Sequence, residues 1–196
     1  MKAFWNKRYA ATEYAYGEAP NAFFKNWVDK TEPGTVLFPA EGEGRNAVYA
    51  ARLGWKVYAY DYSEEGQKKA LALAQKNDVS IQYDVISAID YTNEHSFDAI
   101  VLVYAHFPPD MRSLIHQKLA GLLNPGGTLI LEGYNKQQLK NETGGPKDES
   151  FLFEEGVLRQ DFEGLQIISV ENKTIHLKEG LFHNGESDII RMVAKR

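Results

Sequence analysis

The 196-residue chain contains no cysteine. This excludes disulfides, thiolate nucleophiles and metal sites built on cysteine. Long apolar runs are also missing, and residues 1–8 lack the apolar core of a signal peptide. An excess of positive charge is missing as well, since the formal net charge is −5, and binding to a phosphate backbone needs clustered Lys and Arg. These absences predict a cytoplasmic protein whose partners include neither nucleic acid nor a membrane.

In its hydrophobic and charged content the chain is an ordinary globular protein. Hydrophobic residues make up 43% and charged residues 25% of the chain, values that are typical of a folded domain. The length predicts a single domain over residues 1–196. The five histidines are scattered without the spacing of metal ligands, so we expect no metal site.

One stretch, residues 36–47, organises the rest of the chain. Residues 36–39 predict a buried strand and residues 46–53 a helix, with Gly42 and Gly44 in the turn between them. Glycine lets a ligand approach the backbone closely, and a helix start offers free N–H groups. A second strand over residues 55–60 ends at Asp61, where a carboxylate is able to bind both hydroxyls of a ribose. The stretch therefore predicts a site for an adenosine-containing cofactor.

The remaining segments alternate between strand and helix patterns. Residues 4–19 are aromatic and loop-like, residues 21–29 predict a helix with Asn21 near its start, and Ser63 is a plausible N-cap for a helix reaching about residue 77. Amphipathic spacing predicts another helix around residues 111–122, and a short one is expected over 154–161. A strong turn is expected at the Asn-Pro-Gly-Gly sequence, residues 124–127. The later strands are predicted over residues 79–83, 97–103, 128–132, 165–177 and 189–194.

Alternating strands and helices imply a parallel sheet with right-handed crossovers. The last two strands have no helix between them, only a turn region near residues 184–185, so they predict an antiparallel hairpin. The expected fold class is α/β, a doubly wound, mostly parallel, seven-stranded sheet with a C-terminal antiparallel hairpin.

The glycine turn leaves the cofactor open between NAD and S-adenosylmethionine. Residues 42–47 match the G-x-G-x-x-A form of a dinucleotide fingerprint, with Asp61 at about the expected distance. However, Glu41 and Glu43 lie in this turn. A pyrophosphate prefers a turn free of anions, whereas acidic residues suit a ligand that carries an ammonium and a sulfonium group.

With these motifs the chain resembles the class I S-adenosylmethionine-dependent methyltransferases. The resemblance is carried by the glycine turn, Asp61, Asp84, the strand over 97–103 and the turn at 124–127, and it covers nearly the whole chain. More narrowly, residues 5–9, 16–17, 20–21 and 39–46 resemble the branch near tellurite-resistance and thiopurine methyltransferases. Two positions depart from the family pattern: Phe38-Pro39 replaces the acid that ends the first strand, and Ala40 replaces the first glycine.

The resemblance implies roles for individual residues. Glu41 is expected to accept hydrogen bonds from the ammonium group in place of the missing acid. Residues 1–30 are expected to cover the cofactor site. The residues implied to bind the cofactor are Tyr16 in the N-terminal segment, Ala40, Glu41, Gly42 and Gly44 along methionine and ribose, Asp61 at the ribose hydroxyls, Tyr62 and Ser63 beside the adenine, Asp84 and Val85 at the adenine edge, and Tyr104 and Ala105 near the sulfonium methyl.

His106 is the candidate catalytic base, because it follows a strand whose C-terminal end is where ligands bind in this architecture. The alternative for His106 is a partly buried structural histidine. Arg112 also has two interpretations. It could attract an anionic substrate, or it could be an ordinary arginine on a helix surface.

The expected function is methyl transfer from S-adenosylmethionine to a small molecule, with a thiol or a chalcogen oxyanion such as tellurite as candidate acceptors, by a monomer or homodimer. Two alternatives stay open. One is an NAD-dependent oxidoreductase, and the other is a non-catalytic protein that binds S-adenosylmethionine.

Overall fold

The predicted strands form one mostly parallel sheet. The structure, a computed structural model, describes residues 2–196. The seven strands are β1 (Thr35–Pro39), β2 (Lys56–Asp61), β3 (Gln82–Val85), β4 (Phe97–Val103), β5 (Leu123–Tyr134), β6 (Gln166–Glu179) and β7 (His183–Lys195). Their order in the sheet is β3-β2-β1-β4-β5-β7-β6. Strands β1, β2 and β3 pair in parallel, as do β4 and β5, whereas β5 and β7 are antiparallel. The predicted fold class is confirmed.

All helices except the first begin close to the predicted positions. They are α1 (Lys2–Tyr9), α2 (Ala22–Val28), α3 (Arg45–Arg52), α4 (Glu64–Lys76), α5 (Pro109–Gly121) and α6 (Glu155–Asp161). The Asn21 side chain accepts hydrogen bonds from two N–H groups in the first turn of α2, and Ser63 accepts one from Gly66 in α4. Ser63 is therefore the N-cap that was predicted, and Asn21, expected near the start of its helix, is an N-cap as well. Each satisfies backbone donors that the helix leaves open. Within residues 2–196, no helix is both long and apolar enough to cross a membrane.

The chain divides into two compact units. The first runs to Thr92 and includes Glu179–Leu181, and the second contains Asn93–Lys178 and Phe182–Arg196. In the first unit, residues 36–38 of β1 are fully buried and Phe24 of α2 packs edge-on against Phe38, with ring centroids 5.3 Å apart. In the second unit, residues 99–102 of β4 and 129–131 of β5 are buried on both faces. Unbroken apolar runs suit such interior parallel strands.

The prediction of an N-terminal loop was wrong for α1. Residues 2–9 form a helix that contacts α4 through polar groups, such as Asn6, whose amide donates to Glu64 (2.9 Å). Trp5 and Tyr9, one turn apart, stack with ring centroids 5.4 Å apart. Because polar and aromatic contacts hold this helix, its sequence shows no apolar stripe to predict it from.

Strand β3 begins three residues later than predicted. Asp78 adopts a left-handed conformation (φ 54°), and the N–H of Val79 donates to Ala74 in α4. Val79 and Ile81 then pack against buried residues that include Leu73 of α4. Their apolar character serves this helix contact, so it does not mark a strand.

Two predicted turns lie inside strands. The Asn-Pro-Gly-Gly sequence forms an irregularity within β5, since Phe97 pairs with Leu123 and Ala99 already pairs with Thr128. Strand β7 starts at His183, so the turn expected near residues 184–185 was placed too late. The hairpin reverses at residues 180–182 instead, where Gly180 is left-handed (φ 72°). A connection this short joins neighbouring strands in antiparallel fashion.

Candidate functional site

The turn between β1 and α3 is held in a strained backbone shape. Gly42 (φ 65°) and Gly44 (φ 87°) are left-handed, as the sequence implied, and Ala40 is left-handed too (φ 51°). A residue with a Cβ pays about 1 kcal/mol for this conformation. The departure at Ala40 therefore keeps the backbone shape that a glycine would favour, at a cost in stability.

Asp61 connects this turn to the end of β2. Its carboxylate accepts hydrogen bonds from the N–H of Gly42 (3.2 Å) and of Ser63 (2.9 Å), and the residue is 5% exposed. Burial raises the pKa of Asp61 to about 6. A carboxylate offers about four lone-pair positions, so after these backbone contacts Asp61 retains capacity to accept ligand hydroxyls.

Glu41 caps helix α3. One of its carboxylate oxygens accepts hydrogen bonds from the N–H groups of Asn46 and Ala47, both at 2.9 Å. Burial raises the pKa of Glu41 to about 7, against the lowering effect of these hydrogen bonds. Two of the N–H groups expected to be free for a ligand are thus occupied by the protein's own acid. The expected contact between Glu41 and an ammonium group stays a prediction.

Glu43 is directed toward the N-terminal segment. Its carboxylate accepts a hydrogen bond from the N–H of Ala15 (2.9 Å) and forms an ion pair with Lys69 of α4 (2.7 Å). Burial raises the pKa of Glu43, while the ion pair with Lys69 opposes the change. The two turn acids therefore have internal partners.

Two tyrosines outside the predicted cofactor-binding set enclose Gly42. The Tyr83 hydroxyl donates to the carbonyl oxygen of Gly42 at 2.6 Å. A Cβ placed on Gly42 would lie 2.6 Å from the Tyr9 hydroxyl oxygen, so a larger residue at this left-handed position would force the Tyr9 side chain to shift. Tyr9 belongs to the Trp5–Tyr9 motif of the resemblance, and Tyr83 precedes Asp84 in β3. The Trp5–Tyr9 motif and the position of Tyr83 next to Asp84 could therefore have pointed to these two tyrosines.

Helix α1 also contacts the loop after β2. Trp5 interacts with the side chain of Tyr62, and this interaction lowers the otherwise raised pKa of this tyrosine. The hydroxyl of Ser63 donates to Asn6 at 2.6 Å and also caps α4, so Ser63 is fully engaged. Tyr16 accepts a hydrogen bond from Arg8 (2.9 Å). Residues 2–16 therefore fold over the glycine turn and the start of α4; we call them the N-terminal strap.

The structure brings Asp61 and Val85 together and separates Asp84 from them. In the parallel β2–β3 ladder, Val85 lies opposite Asp61 and Asp84 lies opposite Tyr60. Because side chains alternate along a strand, Val85 shares the face of Asp61 and Asp84 points to the other face. Asp84 is also exposed. Of the two residues expected at the adenine edge, Val85 is the better placed relative to Asp61.

The second unit contains the predicted catalytic residue. The Nδ1 atom of His106 lies 2.8 Å from the carbonyl oxygen of Phe151, and the N–H of Tyr134 donates to Nε2 at 3.1 Å. Since Nε2 accepts, Nδ1 carries the proton and donates to the carbonyl. The ring stacks on Phe153, with centroids 4.5 Å apart, and burial lowers the pKa of His106 to about 4. These contacts favour the alternative interpretation, a structural histidine, and the catalytic role of His106 stays a prediction.

Tyr104 and Ala105 precede His106 at the end of β4. Tyr104 is left-handed (φ 54°), its N–H donates to the carbonyl of Glu132 (2.7 Å), and its hydroxyl donates to the Glu132 carboxylate (3.0 Å). Glu132 is buried and forms an ion pair with Arg191 (2.6 Å). Ala105 is buried. A strained tyrosine tied to a buried acid keeps this end of β4 in one conformation.

Arg112 is not an ordinary helix-surface arginine. Its Nε donates to Asp161 of α6 at 2.9 Å, and Nδ1 of His116 contacts the same carboxylate oxygen at 2.9 Å. Asp161 is buried, and its pKa is lowered because the hydrogen bonds to His116 and Arg112 outweigh the effect of burial. Arg112 thus connects α5 to α6. No cluster of three or more potential metal ligands occurs in the part of the chain that the structure describes.

Comparison with known families finds a match for the central part of the chain. Residues 36–127 match the family model described as a methyltransferase domain. This region of the chain is similar to a methyltransferase domain. The matched region contains the glycine turn, Asp61 and β4, and the match confirms the predicted enzyme class, a methyltransferase, and the predicted cofactor, S-adenosylmethionine. No curated protein matches the chain at a significant level.

Solved structures with low sequence identity share the fold. TehB from Haemophilus influenzae is 17% identical with a TM-score of 0.75; the alignment covers 100% of this chain and 66% of the TehB chain, which is longer. A structure concerned with the conversion of a disulfide bond into a thioacetal group during echinomycin biosynthesis is 18% identical (TM-score 0.80, coverage 100% and 93%). Magnesium protoporphyrin IX methyltransferase (ChlM) from Synechocystis PCC 6803, with bound SAM, is 19% identical (TM-score 0.68, coverage 100% and 96%). These likenesses establish the fold.

Proposed function

We propose that this methyltransferase transfers the methyl group of S-adenosylmethionine to a soft nucleophile on a small molecule, either a thiol or a chalcogen oxyanion such as tellurite. The observation that carries the proposal is the state of His106, whose two ring nitrogens are both hydrogen-bonded. A histidine in this state is a poor proton acceptor. A soft nucleophile reacts without strong base catalysis, whereas a hydroxyl or amine more often needs a base. The sulfur chemistry named for one structure of the same fold is consistent with such an acceptor.

The residues of the first unit fit the cofactor. Asp61 would hold the ribose hydroxyls with its remaining lone pairs, beside Tyr62 and Val85, while the backbone at Gly42 and Gly44 would line the methionine portion. When bound, S-adenosylmethionine supplies an electrophilic methyl group. The chain's own task is then to position the reactants and to exclude water.

Glu41 argues against the NAD-dependent alternative. A pyrophosphate at the start of α3 would need the N–H groups of Asn46 and Ala47, and Glu41 already occupies both. Its carboxylate would also repel the phosphate charge at close range. A cofactor without phosphates meets neither obstacle.

The N-terminal strap supports the expectation that residues 1–30 cover the cofactor site. Trp5 interacts with Tyr62, and Tyr9 packs on Gly42. Both contacted residues belong to the proposed cofactor set. We also keep the prediction that residues 1–196 act as a single domain.

The test is transfer of a labelled methyl group to a panel of acceptors, with thiols, tellurite and selenite set against an amine and a phenol of similar size. Labelled thiol, tellurium or selenium products support the proposal, and transfer to the amine or phenol alone would overturn the soft acceptor. Parallel titrations use S-adenosylhomocysteine and NAD. Binding of S-adenosylhomocysteine without any transfer favours the non-catalytic binder, and binding of NAD alone favours the oxidoreductase.

A further inference from the structure

Strand β6 lies at one end of the sheet and is long. It runs for 14 residues, Gln166–Glu179, with β7 on its inner side. No strand among residues 2–196 pairs with its outer edge. A long open edge is a template for pairing with another chain. By contrast β3, at the opposite end of the order, has only four residues.

The side chains of β6 are largely exposed. Ile168 is 53% exposed, an apolar and β-branched residue on the solvent side of an edge strand. The exposed positions are Gln166, Ile168, the four residues 171–174, His176 and Lys178. This surface offers both backbone groups and side chains to a partner.

The charges of β6 favour a second copy of the chain as the partner. Glu171 and Lys173 flank Asn172 and form an ion pair within the chain at 2.6 Å, with side chains 51% and 43% exposed. If a second copy pairs antiparallel about a two-fold axis at Asn172, Glu171 faces Lys173 of that copy and Lys173 faces its Glu171. Directly opposed residues of opposite charge stabilise an antiparallel pair.

The neighbouring positions agree with the same register. Val170 would face Thr174 of the second copy, and Ile168 would face His176, so β-branched residues meet exposed side chains on the same face. Charged side chains, lysine above all, commonly protect an edge strand against pairing. The reversal of sign across Asn172 makes this edge complementary to itself.

We propose that the protein forms a homodimer in which the β6 strands of two copies pair antiparallel about Asn172. An interface of this kind is isologous, since the same surface of each copy takes part. The two sheets become one continuous sheet across the axis. The proposal does not depend on the methyl acceptor or on the cofactor.

The test is a charge swap followed by analytical ultracentrifugation of the full chain. Lys173→Glu places like charges opposite each other at both pairs, and we expect it to raise the dimer dissociation constant on the order of tenfold or more. The double variant Glu171→Lys/Lys173→Glu restores opposite charges and should recover the wild-type constant. Lys178→Glu is the matched control on the same strand, because in this register Lys178 faces the neutral Gln166.

A monomeric wild type at the highest concentration reached would overturn the proposal. So would a dimer that Lys173→Glu leaves unchanged, because its interface would lie elsewhere. Hydrogen exchange gives a second readout that needs no variant: amides of residues 170–174 should exchange more slowly as the wild-type concentration rises. Exchange that is independent of concentration in this strand contradicts the pairing.

Discussion

Asp61 serves the fold and the proposed cofactor site with the same carboxylate. It holds the N–H of Gly42 and of Ser63, and so joins the glycine turn to the start of α4. Desolvation of this buried group raises its pKa to about 6. Near neutral pH the group is mostly ionised, the state that accepts ligand hydroxyls most strongly.

Replacing Asp61 tests this double use. In Asp61→Asn, the amide keeps the size but loses the charge and one acceptor, so we expect affinity for S-adenosylhomocysteine to fall by about 1–3 kcal/mol. Isothermal titration calorimetry measures the loss. The control is Asp78→Asn, at an exposed left-handed position that asparagine tolerates. Equal affinity in Asp61→Asn and wild type would remove Asp61 from the cofactor site.

At the scale of elements, the N-terminal strap is attached to the glycine turn through Glu43. This acid is 4% exposed and joins the N–H of Ala15 to Lys69 of α4. A second Glu–Lys pair, Glu18 with Lys76, also connects the N-terminal region to α4, but its side chains are 42% and 63% exposed. Since exposed ion pairs contribute little, Glu43 is the main polar attachment of the two.

The difference between these pairs gives a prediction for the strap. In Glu43→Gln the amide is uncharged and no longer pairs with Lys69, so we expect the Ala15 amide to exchange with solvent on the order of tenfold faster. Hydrogen exchange by NMR measures the rate. Glu18→Gln, the exposed counterpart, should leave it unchanged. If both variants exchange alike, Glu43 does not hold the strap.

At the scale of the whole molecule, the charge on Glu41 makes stability depend on pH. Its pKa is raised from about 4.5 to about 7 by burial, so the folded chain binds this proton more tightly than the unfolded chain. The contribution of Glu41 to stability is therefore fully present below about pH 4.5 and is lost as the pH rises through about 7. The helix hydrogen bonds partly compensate for the buried charge.

Glu41→Gln isolates this contribution, since an amide also accepts hydrogen bonds from α3 and does not titrate. We expect the free energy of unfolding of Glu41→Gln, minus that of wild type, to grow by about 2 kcal/mol between about pH 5 and about pH 8. Urea unfolding at the two pH values measures the difference. Glu163→Gln, at an exposed position, is the control. Its difference in unfolding free energy from wild type should be the same at both pH values. If the difference for Glu41→Gln is also the same at both pH values, the raised pKa of Glu41 is contradicted.

The sequence by itself determined the parts of the molecule that depend on local pattern. The strands around residues 36–39, 55–60 and 97–103, the caps at Asn21 and Ser63 and the placing of Asp61 at the end of β2 are all present in the structure. Apolar periodicity and capping are encoded by neighbouring residues, so they are readable without the fold. The parallel sheet and the antiparallel hairpin at its end followed from the alternation of these elements.

Only the tertiary structure decided where the polar side chains of the site are directed. The same acids that favoured S-adenosylmethionine in the sequence bind the start of α3 and the strap, and the ring of His106 is held by Tyr134 and Phe151, 28 and 45 residues away. Helix α1 likewise depends on contacts with α4. A hydrogen-bond partner is chosen by proximity in the folded chain, and local sequence pattern does not encode that proximity.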